Sequence, residues 1–412
     1  MHHSHFHSLE TKGLVLDKAE RYEEAHEIGM EVLDLYRQLV DAHPARFQHR
    51  LGLALRSLGW GLGACERHEE AAVVVEEEVE LRRKMLERER DTESSAELAA
   101  SLERRAKHLY NAGRTPEVIE CFQESVEIRR WLAHIDPEEY SPVLAFFLHN
   151  LARILDSCGR TVEAIPLSYE VIDVRRRLVA DDPSTFEPDL AKSLYSHAQY
   201  AETIGRIAEA VEYGREAAEI LRRLAHDNPE RYTGDLAESV QDLASHLYNC
   251  GRAVEAIPFS SEAIEIRRQL VSNDPPRLEP YLADSLHLHA LYTGKAGRIA
   301  EAVEYGQEAV SIRRRLAHIN PEKYSPTLAQ SLQNLASDLN ACGRSAEAMS
   351  SSDEVVQVYR RLAERDPAVF EAKYANCLHN RAIYLEGLGR TEEALECRRE
   401  TRDIRSRLSA QS

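Results

Sequence analysis

Histidine offers the most options for chemistry in this 412-residue chain, because its 18 copies could bind a metal or transfer protons. They are densest at the N-terminus, at His2, His3, His5 and His7. Such a group could bind a transition metal. A disordered His-rich tail over residues 1–7 is the simpler interpretation, so we predict neither a metal site nor a cofactor.

Five further histidines recur at regular spacing, which favours structural roles over chemical ones. His134, His226 and His318 follow the last turn of predicted helices, where a cation interacts favourably with the helix dipole. His197 and His289 occupy a position that is otherwise apolar, and we predict that they are buried with their hydrogen bonds satisfied. A metal-linked or proton-linked role of the histidines is therefore the least favoured hypothesis.

The seven cysteines form no Cys-x-x-Cys pair. Four of them lie at matching places along the chain: Cys65, Cys158, Cys250 and Cys342. Residues spaced in this way are too far apart to form disulfides with one another. We predict that they are small buried side chains that close a helix, without a redox or metal role.

The common catalytic motifs are absent, including phosphate-binding loops, His-Glu-x-x-His and Gly-x-Ser-x-Gly. The 70 acidic residues exceed the 52 basic ones, giving a net charge of −18, and solvated helix faces explain them better than acid–base catalysis. This charge disfavours nucleic acid and anionic membranes as partners. No apolar run reaches the roughly 20 residues of a membrane span. We predict a cytoplasmic protein that is not an enzyme.

A recurring Gly-Arg corner sets the positions of the predicted helices. One copy is Gly205-Arg206-Ile207-Ala208-Glu209-Ala210. The corner recurs every 46 residues, except for a spacing of 47 between Arg67 and Arg114, and glutamate replaces glycine in the first two copies. The nine corner arginines are Arg21, Arg67, Arg114, Arg160, Arg206, Arg252, Arg298, Arg344 and Arg390. A fixed period of this size indicates a stacked repeat array. We predict that each arginine bonds a carbonyl or carboxylate of the neighbouring unit.

Each period encodes two helices. Apolar residues at helical spacing predict a longer helix over residues 208–225, of about 18 residues, which ends before Pro229. A shorter helix is predicted over residues 235–249, and Gly251 supplies the left-handed turn that follows it. One unit is therefore an antiparallel helical hairpin.

The shorter helix, the glycine corner and the Glu-Ala opening of the next helix resemble the tetratricopeptide repeat, whose period is about 34 residues. The resemblance runs from Ser8 to Leu408 and places the extra residues in the longer helix and the Asp/Asn-Pro loop. Units of this length are similar to those of kinesin light chains and of arrays attached to CHAT domains or NTPase-type immune receptors. The resemblance implies an all-α, right-handed α-solenoid (superhelix) of about nine antiparallel helical hairpins, forming one domain over residues 8–410.

In tetratricopeptide arrays the shorter helices line a groove that binds peptides. By that resemblance the groove positions are Lys107, Tyr110, Asn111, His149, Arg153, Tyr195, Gln199, Gln241, Tyr248, Asn249, His287, Gln333, Asn340, Asn376 and His379. Their amide, aromatic and imidazole groups can hydrogen-bond and stack on an extended peptide.

Two main functional hypotheses follow. The first is a non-enzymatic scaffold or adaptor that binds a peptide or protein segment in this groove. The second is the sensor or regulatory arm of a larger signalling or immune assembly, acting by self-association, because the middle repeats are nearly identical. In a CHAT-protease system the chain would be the recognition part, since every histidine and cysteine after residue 8 falls inside the repeats.

Overall fold

The computed structural model describes residues 22–89 and 91–411, which form 17 α-helices without a strand. They are α1 (Tyr22–Ala42), α2 (Pro44–Ala64), α3 (His68–Glu89), α4 (Thr92–Asn111), α5 (Thr115–Ile135), α6 (Pro137–Ser157), α7 (Thr161–Asp181), α8 (Pro183–Thr203), α9 (Ile207–Asp227), α10 (Pro229–Asn249), α11 (Ala253–Val271), α12 (Pro275–Lys295), α13 (Ile299–Ile319), α14 (Pro321–Ala341), α15 (Ser345–Arg365), α16 (Pro367–Gly387) and α17 (Thr391–Gln411). The predicted all-α array of antiparallel hairpins is confirmed. The tail over residues 1–7 and the first predicted helix lie outside the described residues.

The two helices predicted over residues 208–225 and 235–249 have equal lengths, so the prediction of a longer and a shorter helix is wrong. Both α9 and α10 contain 21 residues, separated by Asn228 alone. Pro229 opens α10 because the first residue of a helix needs no N–H donor. The side chain of Asn228 accepts a hydrogen bond from the Arg231 N–H and caps the helix. The residues added to a 34-residue repeat therefore extend both helices.

The glycine corners have the predicted geometry. Gly205 has φ +80°, in the left-handed region that favours glycine. The Arg206 N–H donates to the Ala201 carbonyl at 2.7 Å, which satisfies a carbonyl of the preceding helix end. Where glutamate replaces glycine, Glu66 adopts the same conformation with φ 59°. We call the helix before each corner the first helix of its hairpin (even-numbered) and the helix after it the second helix (odd-numbered).

The corner arginine pairs with the glutamate three residues later in its own second helix. At the corner after α6, Arg160 Nε and Nη2 donate to the two carboxylate oxygens of Glu163, both at 2.7 Å. An equivalent ion pair occurs at all eight described corners. The predicted bond to a neighbouring unit is present at the corner after α4, where Arg114 Nη1 also donates to Glu69 at 3.1 Å. The pair within the second helix, which was not predicted, is the contact that the described corners share.

The described helices group into two compact units, up to Tyr200 and from Ala201, with the boundary inside α8. Consecutive helices pack side by side, such as α6 with α7 in the first unit and α9 with α10 in the second. Alanines allow close contact between helices, and Ala106, Ala164, Ala210 and Ala244 are completely buried.

Successive second helices are joined by a ladder of arginine–glutamate pairs that sequence reasoning missed. In the first unit Arg130 Nε and Nη2 donate to the two carboxylate oxygens of Glu170, at 2.8 and 2.7 Å. In the second unit Arg222 pairs in the same way with Glu262, at 2.8 Å. The two partners of each pair lie 40 residues apart, slightly less than one 46-residue repeat. They therefore belong to the second helices of neighbouring hairpins. Two-pronged ion pairs of this kind fix the register between hairpins.

Candidate functional site

Six of the seven groove positions predicted in the first unit reach solvent. Lys107, Tyr110, Asn111, Arg153 and Gln199 are exposed. Tyr195 is half-buried, and its hydroxyl accepts a hydrogen bond from Gln199 Nε2 at 2.7 Å. His149, the seventh, is buried.

In the second unit the predicted positions divide more evenly between surface and interior. Asn249 and Asn376 are exposed, and Asn249 Nδ2 donates to Glu202 at 2.8 Å. Four positions are half-buried: Tyr248, Gln333, Asn340 and His379. Gln241 and His287 are buried.

His149, Gln241 and His287 are therefore not surface groove residues, and this part of the prediction is wrong. In the second unit these side chains bond the next hairpin instead. Gln241 Oε1 accepts a hydrogen bond from the Ser285 hydroxyl at 2.7 Å. His287 Nδ1 lies 3.1 Å from the Ser331 hydroxyl. A first-helix residue that faces the next hairpin is covered by that hairpin. The helical periodicity of a single helix does not reveal this contact.

An arginine from a second helix completes each of these networks, half-buried in the case of Arg267 and buried in the case of Arg313. Arg267 donates to Ser285 and to the Tyr281 carbonyl, and Arg313 donates to Ser331 and to the Thr327 carbonyl. Burial lowers the pKa of Arg267. An arginine followed 18 residues later by serine is thus the sequence pattern that these two networks share.

Three exposed aromatic residues lie on consecutive first helices of the first unit. Trp60 on α2 is 57% exposed, Tyr110 on α4 is 60% and Phe146 on α6 is 54%. Lys107 and Arg153 occupy the position of Trp60 in the next two repeats and are also exposed. We call these five residues the aromatic–basic face. Sequence reasoning missed Trp60 and Phe146, although their place in the repeat would have identified them.

The first helices that carry this face are held side by side. A Cβ placed on Gly63 of α2 would lie 2.6 Å from the His108 ring of α4, so these helices are in close contact. Between α4 and α6, Arg129 pairs with Glu103 and lies over the Phe147 ring at 4.7 Å. The face is therefore a surface shared by consecutive hairpins.

Two of the interior histidines, His149 and His287, have strongly lowered pKa values. Burial, with a smaller effect from Arg175, lowers the pKa of His149 to about 3. Burial and nearby Arg313 lower the pKa of His287 to about 4. His197 is buried as predicted, with Nδ1 2.8 Å from the Ser168 hydroxyl.

His289 is only partly satisfied. Its Nδ1 lies 2.7 Å from the Ser260 hydroxyl, whereas the buried Nε2 lies 3.6 Å from Glu301 Oε1, which is beyond hydrogen-bond distance. His134, His226 and His318 lie in last helical turns, as predicted.

The four cysteines next to the corners are not buried, and that prediction is wrong. Cys158 and Cys342 are exposed, and Cys65 and Cys250 are half-buried. They lie just beyond the helix end, where the corner is open to solvent. Within residues 22–89 and 91–411 no group of three His, Cys, Asp or Glu side chains is arranged to hold a metal ion. The helices of the same segments include none with the length and hydropathy of a membrane span.

Parts of the chain match a known repeat family. A family model described as tetratricopeptide repeat matches residues 147–184, 282–317 and 328–368. These matched segments lie in α6–α8, α12–α13 and α14–α16. These three segments match the tetratricopeptide repeat. No curated protein sequence matches this chain.

Several solved structures are similar to this chain at low sequence identity. BtubC (BKLC) from P. vanneervenii is 20% identical, with 61% of this chain and 92% of that chain covered and a TM-score of 0.45. A putative kinesin light chain from Podosopora anserina with nearly identical TPR-like repeats is 22% identical, with 53% and 95% covered and a TM-score of 0.42. The STAND protein PH0952 from Pyrococcus horikoshii, which has a tetratricopeptide repeat sensor, is 11% identical, with 93% and 54% covered and a TM-score of 0.49.

Repeat arrays of this kind present extended surfaces to which other proteins bind. A protein-interaction scaffold is accordingly the general role that the tetratricopeptide repeats support.

Proposed function

We propose that this chain is a non-enzymatic interaction scaffold that binds a peptide or protein segment on its first helices. The observation that carries the proposal is the aromatic–basic face of the first unit. Trp60, Tyr110 and Phe146 are each more than half exposed on consecutive first helices. Exposed aromatic side chains surrounded by polar residues are typical of protein–protein contact sites.

Burial of these rings would supply much of the binding energy. An aromatic side chain presents roughly 200 Å² of surface, and covering half of it contributes about 2 kcal/mol. Lys107 and Arg153 lie in the same register and can pair with carboxylates of the bound segment. The partner that best fits is therefore a segment with large apolar side chains and some acidic residues.

Photo-crosslinking in a native lysate tests the location of the face. A photoreactive amino acid is placed at Trp60 or at Phe146, and in a control chain at Trp131 of α5, which is 45% exposed on a second helix. The proposal expects one shared crosslinked protein at the two face positions and its absence at the control position. That protein is then purified and titrated against the intact chain and the Trp60→Ala variant, which we expect to bind at least tenfold more weakly. Equal crosslinking at all three positions would contradict the proposal.

Self-association as a sensor or regulatory arm is the second candidate. The near-identity of Gly205–Glu212 and Gly297–Glu304 supports it, because identical units can present identical contact surfaces. Light scattering over a wide concentration range tests this candidate. A mass that stays at that of the 46.8 kDa chain throughout would rule it out.

A further inference from the structure

A cavity of about 510 Å³ lies in the second unit, between the first helices α12 and α14 and the second helix α13. Its apolar wall includes Pro280 and Tyr281 of α12, Leu316 of α13 and Tyr324 of α14. Tyr281 is exposed over 55% of its surface, so its ring is available to a ligand. The volume falls within the range of roughly 300–1,000 Å³ that is usual for small-molecule sites.

Three cations line this cavity in a chain whose net charge is −18. Arg313 is buried and already pairs with Asp284 at 2.6 Å. Arg277 and Lys323 are exposed, and neither has a carboxylate partner in the described part of the chain. Lys323 Nζ lies 5.0 Å from the centroid of the Tyr324 ring, which leaves its ammonium at the edge of the apolar wall. The cavity therefore combines an apolar body with two unneutralised positive charges.

This combination is specific to one place in the repeat. Tyr281 occupies the position of Asp235 in the preceding hairpin and of Thr327 in the following one. Arg277 has an arginine counterpart, Arg231, in the preceding hairpin, but there the aspartate replaces the tyrosine. A repeat-wide packing requirement would place similar residues at all three positions, so it does not account for the exposed ring.

We propose that this cavity is a binding site for a small organic anion, a carboxylate attached to an aromatic or large aliphatic body. The carboxylate pairs with Arg277 and Lys323 at the cavity mouth, and the body packs between Tyr281 and Tyr324. A ligand carboxylate that pairs with these cations is bound more tightly than a neutral group of the same shape. No residue of the predicted groove or of the aromatic–basic face lines the cavity. The site is thus separate from the proposed surface for protein partners.

Isothermal titration with 3-phenylpropionate and with its neutral analogue 3-phenylpropan-1-ol tests the proposal on the full chain at low salt. We expect saturable binding of the carboxylate, at least tenfold weaker binding of the alcohol, and weaker carboxylate binding as salt is raised. The Arg277→Gln, Lys323→Gln and Tyr281→Ala variants should each lose about tenfold in affinity. Arg231→Gln, the matched substitution in the preceding hairpin, should bind as the unaltered chain does.

Two results would overturn the assignment. One is the absence of saturable binding of 3-phenylpropionate by the unaltered chain at millimolar concentration. The other is equal weakening by Arg277→Gln and Arg231→Gln, which would indicate attraction to surface charge alone. The three substituted residues are exposed or half-buried, and unchanged thermal unfolding of each variant confirms that its fold is intact. Crosslinking at the aromatic–basic face of the same variants distinguishes this site from the proposed scaffold function, because that readout should not change.

Discussion

The hydroxyl of Ser285 accepts a hydrogen bond from Arg267, which precedes it by 18 residues in the neighbouring second helix. One hairpin earlier the same relationship is broken. Leu221 occupies the position of the arginine, and the buried hydroxyl of Ser239 has no hydrogen-bond partner among the described residues. The array therefore contains the same buried serine both with and without its arginine, which provides an internal comparison.

Replacing these serines should have opposite consequences. Ser285→Ala deprives the half-buried Arg267 guanidinium and the buried Gln241 of a partner, and we expect a loss of about 1–2 kcal/mol in the free energy of unfolding. Ser239→Ala removes a buried hydroxyl that bonds nothing described, so stability should be unchanged or slightly increased. Urea unfolding followed by circular dichroism measures both. A comparable loss in the two variants would show that the arginine contact is not the cause.

Two glycines of the second unit should respond to alanine in opposite directions. Gly205 has φ +80°, so Gly205→Ala should destabilise the corner by about 1–2 kcal/mol. Gly234 lies inside α10, and an added Cβ there would meet nothing within 4 Å. Gly234→Ala should therefore stabilise the chain by about 0.5–1 kcal/mol, chiefly because the unfolded state loses conformational freedom. Thermal unfolding that shifts in the same direction for both variants would contradict this explanation.

Stability should decrease in mild acid because of His287. Burial holds its pKa at about 4 in the folded chain, below the ordinary value of 6.5. Between these pH values the unfolded chain binds a proton that the folded chain does not, so the free energy of unfolding decreases as pH falls, by up to about 1.4 kcal/mol per pH unit.

The variant that tests this is His287→Gln, which copies Gln241 at the same position of an earlier repeat. It should flatten the pH dependence of the urea midpoint between pH 6.5 and 4. His226→Gln, which changes a histidine that is exposed at the end of α9, is the matched control and should leave the slope as it is. An unaltered slope in His287→Gln would exclude this histidine as the source.

The ladder between second helices should tolerate charge exchange but not charge reversal. Either Arg222→Glu or Glu262→Arg alone places like charges opposite each other and should cost roughly 0.5–1 kcal/mol, because the pair is partly exposed. The double variant should recover most of that loss. Arg177 pairs with Asp173 inside α7, so this pair connects no neighbouring hairpin. Reversing the charge of Arg177 should therefore have a smaller effect. Urea midpoints of the four chains at low salt decide between these outcomes.

The predicted interaction surface shows where sequence reasoning succeeded and where it failed. Lys107 and Arg153 share a repeat position and a helix face, and both are exposed, as a helical period alone could predict. Gln241 and His287 also share a position, yet they are buried, because the next hairpin packs over them. Amphipathic spacing identifies the side that faces the partner helix of the same hairpin. It does not identify the side that faces the next hairpin.

The sequence by itself determined the period, the corners and the all-α array. These depend on local chemistry: glycine is the residue that adopts the left-handed turn at Gly205 without strain, and proline fits the first turn of a helix, as Pro229 does. Only the tertiary structure decided that Gln241 and His287 are buried and that a cavity opens beside Tyr281. Each of these depends on contacts between residues far apart in the chain, where the neighbouring hairpin sets whether a side chain meets solvent, a partner or empty space.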